Sequence, residues 1–219
     1  MRFLARTRSQ GASDRLGSAA MTSSRSTADS AGSPPRLFES LPMRGLELRN
    51  RIVVSPMCMY SSVDGLASAW HHVHLGSLAC SGAGLVISEA TSVEARGRIT
   101  PNCLGLWDDD CERALARVVA TVKEVAPDAG LGIQLAHAGR KASHARPWAP
   151  ARGYVPPADG GWSTVGVSGN SYEDVAPHAH ALDRTELGEV RDAFAVIEDA
   201  VLVEIVPAAV GDLVLVVDA

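Results

Sequence analysis

The chain has 219 residues, 46% apolar and 21% charged, which fits one globular domain or slightly more and excludes disorder throughout. Twenty Lys and Arg against 25 Asp and Glu leave a net charge of −5, so no excess positive field is present to hold nucleic acid phosphates or anionic lipid. No apolar run, Leu213 to Val217 included, approaches the roughly 18 residues of a membrane-spanning helix. The four cysteines, Cys58, Cys80, Cys103 and Cys111, form no C-x-x-C pair, which speaks against a disulfide framework or zinc site and for a reducing, cytoplasmic compartment.

Residues 1–35 hold eight Ser and five Arg but only two acids, Asp14 and Asp29, and carry +3 where the remainder carries −8. With no sustained apolar period they are expected to form a disordered leader outside the fold. Such a stretch resembles an organelle transit peptide, but an unstructured tail or a start codon assigned too far upstream is the preferred reading.

From residue 36 onward the pattern is strand, helix, strand, helix, strand. Arg51 to Ser55 is a β-branched run stopped by Pro56 and predicts a buried strand. Ala69 to Cys80, with Val73, Leu75, Leu78 and Ala79, predicts a helix ending at Ser81-Gly82. Gly84 to Ser88 predicts a second strand. Asp108 to Val125 carries Leu115, Val118, Val119, Val122 and Val125 at helical spacing, with acids early and Lys123 late to match the helix dipole. Leu131 to Ala136 predicts a third strand. Apolar runs rather than clean alternation imply parallel strands buried on both faces.

Arg140 to Asp183 differs, holding five Pro and five Gly among Trp148, Tyr154, Trp162 and Tyr172. A stretch of that length without regular structure is usually an active-site lid or excursion. Helix resumes over Thr185 to Val196, with Thr185 as the expected N-cap, and Val201 to Val206 and Leu213 to Val217 each read as a strand.

Few short motifs carry chemistry by themselves. His71, His72 and His74 lack the i, i+4 spacing of a zinc helix, and a solvent- or cleft-facing helix start is the preferred reading. Gly82-Ala83-Gly84 precedes a strand instead of following one, unlike a dinucleotide fingerprint. Cys58 lies just past a strand end, where βα barrels place their chemistry, although a buried thiol acting as a small hydrophobe is the commoner case. Gln134 stands inside Ile133-Gln134-Leu135. A buried amide needs either a polar neighbour or a ligand edge with matching donors and acceptors. The same reasoning applies to His137 and Arg140 after that strand.

Several blocks together carry a resemblance: Arg49-Asn50-Arg51-Ile52-Val53, Ser55-Pro56-Met57-Cys58-Met59-Tyr60, Trp70-His71 with His74-Leu75-Gly76, Glu89-Ala90, Gly97-Arg98, and Gln134 through Lys141. In order and spacing over about Leu37 to Phe194 they resemble the old yellow enzyme family, its thermophilic-like branch of NADPH dehydrogenases and ene-reductases most closely. The resemblance implies an α/β fold, the N-terminal half of a (β/α)₈ TIM barrel, with FMN at the C-terminal strand ends and NADPH or NADH as hydride donor. It further implies an enone-type small molecule as hydride acceptor. Ser55, Pro56, Met57 and Cys58 would line one side of the flavin ring, Ala90 would contact its pyrimidine end, and Gln134 would hydrogen-bond the pyrimidine edge. Cys58 would tune the flavin, and Tyr60 would face the substrate cleft.

The sequence also departs from that family. From Arg36 onward 184 residues remain, where a complete barrel takes about 250, so closure in the usual way is not expected. The paired histidines and proton-donating tyrosine that follow the family's fourth strand have no counterpart after Val201-Leu202-Val203-Glu204-Ile205. Weak flavin retention, impaired activity and association into homo-oligomers through uncovered edges are the expectations. The alternative reading is a non-catalytic fragment left by a frameshift after roughly Phe194. A flavin-free barrel lyase would need a strand-end base, for which Glu89 is the sole carboxylate so placed.

Overall fold

The computed structural model describes residues 35–43, 46–174, 176–200, 203–207 and 213–217. The expected leader therefore lies outside the described residues, apart from Pro35. The first elements are a short antiparallel hairpin, β1 (Leu41–Met43) with β2 (Leu46–Leu48). Two polar residues then fix the entry into the main sheet. Arg49 donates through Nη2 to the carbonyls of Ala79 at 3.2 Å and Ala83 at 2.9 Å. Asn50 donates to Gly82 O at 2.8 Å and accepts from the Ile52 N–H at 3.0 Å. Gly84 must be glycine, because a Cβ there would come within 2.5 Å of the Asn50 carbonyl oxygen. The Gly82-Ala83-Gly84 run is thus a packing turn.

Strand β3 (Val53–Val54), helix α1 (Ala69–Cys80), strand β4 (Leu85–Ser92), helix α2 (Asp109–Val125) and strand β5 (Gly130–Ala136) follow, and β3, β4 and β5 are parallel in that order. β3 is shorter than its apolar run suggests, and Val53 is exposed, because β3 is the edge strand of this sheet. In α1 the residues turned inward are His71, Leu75, Gly76 and Ala79, at steps of about one helical turn. Val73 lies on the other side and is 67% exposed. In α2 Cys111, Ala114, Val118 and Val122 are buried, Asp108 Oδ1 caps the helix by accepting from the Cys111 N–H at 2.8 Å, and Val125 ends outside.

Leu75 and Ala79 of α1, Val118 and Val122 of α2, and Val86 and Leu131 of the sheet form one apolar cluster, each full side-chain burial worth about 1.5–3 kcal/mol for the Val and Leu members. Leu85 and Ile87 alternate with Val86 and so look to the opposite face, where they meet Leu41, Met43, Leu46 and Leu48 of the hairpin. A third cluster joins Ile133 and Leu135 of β5 to Val93, Leu106 and Ile197, the last from α3 (Arg184–Ala200).

The described residues of the excursion after β5 form local structure. It contains a two-residue parallel pair, β6 (Val165–Gly166) with β7 (His180–Ala181), and His144 packs edge-on against the rings of Tyr154 and Tyr172. Helix α3 is capped by Asp183 and not by Thr185, since Asp183 Oδ1 accepts from the N–H groups of Thr185 at 2.8 Å and Glu186 at 2.9 Å. Strands β8 (Val203–Pro207) and β9 (Leu213–Val217) pair antiparallel with each other, and β9 pairs antiparallel with β5, giving the sheet order β3-β4-β5-β9-β8. The βα repeat of parallel strands therefore ends at β5. Among the described residues no helix is long and apolar enough to cross a membrane.

Candidate functional site

Because β3, β4 and β5 run parallel, their C-terminal ends share one rim, and the segments 55–68, 93–108 and 137–183 all leave from it. In βα architectures that rim is where loops from different strands converge on a ligand. Within it, Ala90 pairs in register with Gln134. The pairing follows from a bulge: Ser88 stands opposite Ile133, and Glu89 is the extra residue before Ala90 meets Gln134. In an unbulged strand Glu89, not Ala90, would stand opposite Gln134. Along β5, Leu131, Ile133 and Leu135 enter the apolar clusters, so Gly132, Gln134 and Ala136 share the opposite face. This face is small-residue floor around one amide.

The segment after β3 is extended and alternates. Ser55, Met57 and Met59 line a small cavity whose far wall is His71, His74, Leu75 and Leu78 of α1, and Met57 remains 50% exposed. Pro56 and Cys58 are half-buried. The Cys58 thiol is pushed above its usual value by burial and by the Glu89 carboxylate, against a backbone hydrogen bond from Ala90, a hydrogen bond from Tyr60 and the charge of Lys141. Those contacts bring Cys58, Tyr60 and Ala90 together. Tyr60 has φ 48°, a left-handed conformation that non-glycine residues rarely adopt. Burial, with the neighbouring Cys58 and Cys103 next, pushes its phenol up to about 12. The Tyr60 ring meets Trp148 of the excursion edge-on, with centroids 5.6 Å apart, and Trp148 is 61% exposed.

Beneath this group lies a buried pair that sequence reasoning placed differently. Of the solvent- or cleft-facing helix start expected for His71, the solvent-facing alternative does not hold: its side chain and that of Glu89 are each 3% exposed. Ser68 donates its backbone N–H to His71 Nδ1 at 2.9 Å, which puts the ring proton on Nε2, 3.2 Å from Glu89 Oε1. The other carboxylate oxygen, Oε2, accepts from the Met59 N–H at 3.0 Å. Glu89 is therefore committed to two donors, which removes it as the base of a lyase. A buried carboxylate in an apolar run needs partners as strictly as a buried amide does, so Glu89 was as conspicuous as Gln134.

The same tautomer logic recurs after β5. His137 Nδ1 accepts from the Gly139 N–H at 3.0 Å, and Nε2 donates to Glu94 Oε2 at 3.3 Å. Burial holds the His137 imidazole below its usual value, against the pull of Glu94. Burial opposes the charge of Glu94, yet the hydrogen bond and charge of Arg96, with His137, hold that carboxyl below its usual range. Arg140 and His137 line an open cleft with Val165, Ser168 and Leu187. Arg98 is clamped between Trp107 at 5.2 Å and Trp162 at 4.7 Å, tying the excursion to the loop after β4. His72 bonds Thr121 at 2.9 Å and His74 stacks on Trp70, so the three histidines have three separate engagements. A second cleft between α2 and α3 is rimmed by Asp108, Asp109, Glu112, Glu189 and Asp192, a charge pattern that repels phosphate-bearing ligands.

An NADH:flavin oxidoreductase of Gibberella zeae is 37% identical over 162 residues, covering 73% of this chain and 39% of that protein. An NADPH dehydrogenase of Geobacillus thermodenitrificans is 51% identical over 107 residues, covering 48% of this chain and 31% of that protein. The chain thus spans 31% to 39% of the length of these curated relatives. Among solved structures, morphinone reductase superposes with a TM-score of 0.59 at 23% identity over 74% of this chain and 44% of that one. An old yellow enzyme homologue from Zymomonas mobilis gives 0.57 at 23% identity over 73% and 43%. These two likenesses concern the fold, and identify β3 to β5 with their helices as an arc of a TIM barrel. The family model for NADH:flavin oxidoreductases and NADH oxidases matches residues 36–198, from the first described turn through most of α3, and the chain belongs to that family.

Proposed function

We propose that this chain contributes the pyrimidine-side wall of an FMN site in an oxidoreductase that takes hydride from NADPH or NADH and delivers it to an activated alkene of the enone type. The observation that carries the reading is the register pair Ala90–Gln134 at the strand-end rim, with the half-buried Cys58 on the segment that leaves the neighbouring strand β3 at the same rim. The small residues of the inner face leave room for a flat ring, and an amide matches an edge that alternates donors and acceptors. When bound, FMN supplies the two-electron carrier that neither substrate nor side chain provides.

The residues would divide the work as follows. Gln134 would read the ring edge, and Ala90 would allow close approach by having no more than a methyl group. Pro56 and Cys58 would wall one side, with Ser55 and Met57 contributing main chain there, because their side chains line the cavity against α1. Tyr60 would hold the substrate side, its ring edge against Trp148. Activity belongs to the full length of the relatives, so binding is the measurement suited to this stretch. Titration of the chain with FMN, followed by flavin fluorescence, is expected to give saturable quenching that Gln134→Leu weakens by roughly tenfold, the loss of about one hydrogen bond. Equal affinity in parent and variant would overturn the reading.

A further inference from the structure

Glu89 sits where its chemistry cannot be replaced. Its two oxygens face two groups that only donate, the Met59 N–H at 3.0 Å and the His71 Nε2–H at 3.2 Å. His71 cannot reverse its tautomer, because its Nδ1 is held by the Ser68 N–H at 2.9 Å. An amide in place of the carboxylate would point an NH₂ at one of these donors in either rotamer, so a carboxylate alone satisfies both. The bulge in β4 is what turns this side chain inward while leaving Ala90 in register with Gln134. One residue thereby fixes the turn that carries Cys58 and Tyr60 and the strand position beside them. The rest of that turn is pinned locally, with Ser68 Oγ donating to Ser61 O and Ser61 Oγ donating to Met59 O, both at 3.0 Å.

We propose that Glu89 is a positioning residue for Cys58: held by His71, its carboxylate seats the backbone N–H of Met59, the residue after Cys58, and so keeps the thiol in place at the rim. The titratable groups facing that thiol come from three elements: Glu89 of β4, Lys141 of the segment after β5, and, within its own segment, the Tyr60 hydroxyl. Cys103, from the loop after β4, is the remaining ionisable neighbour and is itself buried. Burial first, and then the Glu89 carboxylate, oppose thiolate formation at Cys58. The inference concerns this chain without any ligand and stands or falls apart from the flavin reading.

The test is made on the ligand-free chain carrying Cys80→Ser, which removes the exposed thiol and leaves Cys58 as the accessible one, since Cys103 and Cys111 are buried. Iodoacetamide labelling of Cys58 is followed by peptide mass across pH 6–10, in that background and with Glu89→Gln added. Glu89→Gln is expected to shift the labelling midpoint downward by about half a pH unit or more, so that Cys58 reacts roughly threefold faster at a pH below both midpoints. Superimposable profiles for two folded proteins would overturn the proposal. Native-state hydrogen exchange on the unsubstituted chain tests the seating without any variant at position 89. The Met59 amide lies outside every helix and strand, so protection there must come from Glu89, and exchange of Met59 at the unprotected rate would equally overturn it.

Discussion

The Met59 main-chain N–H donates to the buried carboxylate of Glu89 at 3.0 Å, across thirty residues of sequence. That bond links the segment after β3 to the middle of β4, and the other oxygen of the same carboxylate reaches α1 through His71. Three elements of the βα arc are thus joined at one side chain. Glu89→Gln is expected to destabilise the chain by about 1–3 kcal/mol, since one buried donor is left unpaired. Urea unfolding followed by Trp fluorescence checks this. In a His71→Leu background the same change should cost less, because the single amide oxygen can then serve Met59 alone.

Filling the floor at position 90 should separate binding from folding. Ala90 is half-buried on the face it shares with Gln134. Ala90→Leu is expected to lower FMN affinity roughly tenfold, an overpacking cost within 1–3 kcal/mol, while far-UV circular dichroism keeps the parent's shape. Flavin fluorescence titration gives the affinity.

Acid should loosen the fold through His137 before it does so through Glu94. Burial holds the imidazole below its ordinary value of 6.5, so the unfolded chain binds a proton that the folded chain resists. This contribution to stability is present above pH 6.5 and is lost as pH falls below it. Glu94, also depressed, adds a second loss below its ordinary 4.5. The urea midpoint of the parent should fall between pH 7.5 and 5.5, and His137→Asn should show a flatter dependence over that window.

Arg98 should hold the excursion down. Its guanidinium lies over Trp107 and Trp162 and donates to the carbonyls of Ala95 at 2.8 Å and Pro101 at 3.2 Å. Arg98→Ala is expected to cost about 2 kcal/mol, and Arg98→Lys to recover little, because an ammonium does not stack as a planar guanidinium does. Limited proteolysis should then cut within residues 145–160 sooner than in the parent.

Trp107 in turn depends on two glycines. A Cβ at Gly65 or at Gly105 would run into the Trp107 ring, and Gly65 also has φ +79°. Gly105→Ala is expected to destabilise by about 1–3 kcal/mol, read as a lowered Tm with altered Trp fluorescence.

Where side-chain period and cap chemistry are local, the sequence was legible. Helix α1 falls on Ala69–Cys80 as its pattern says, α2 begins one residue after its Asp108 cap, and β5 starts one residue before the predicted Leu131. Strand β4 runs four residues past its apolar segment, to Ser92, because Glu89, Thr91 and Ser92 find buried partners that no propensity foretells. β3 shrinks to two residues since the edge of a sheet offers pairing on one side only.

The order of elements from β3 to β5 and the family motifs from Arg49 to Lys141 were settled by the amino acids themselves, because each rests on local periodicity or on a fixed spacing along the chain. Tertiary structure alone decided that Glu89 bulges from β4, that His71 turns inward to meet it, and that Trp148 comes to lie against Tyr60. These are contacts between residues far apart in sequence, and which buried donor meets which acceptor is fixed only when strands pair in one register and helices pack on one face.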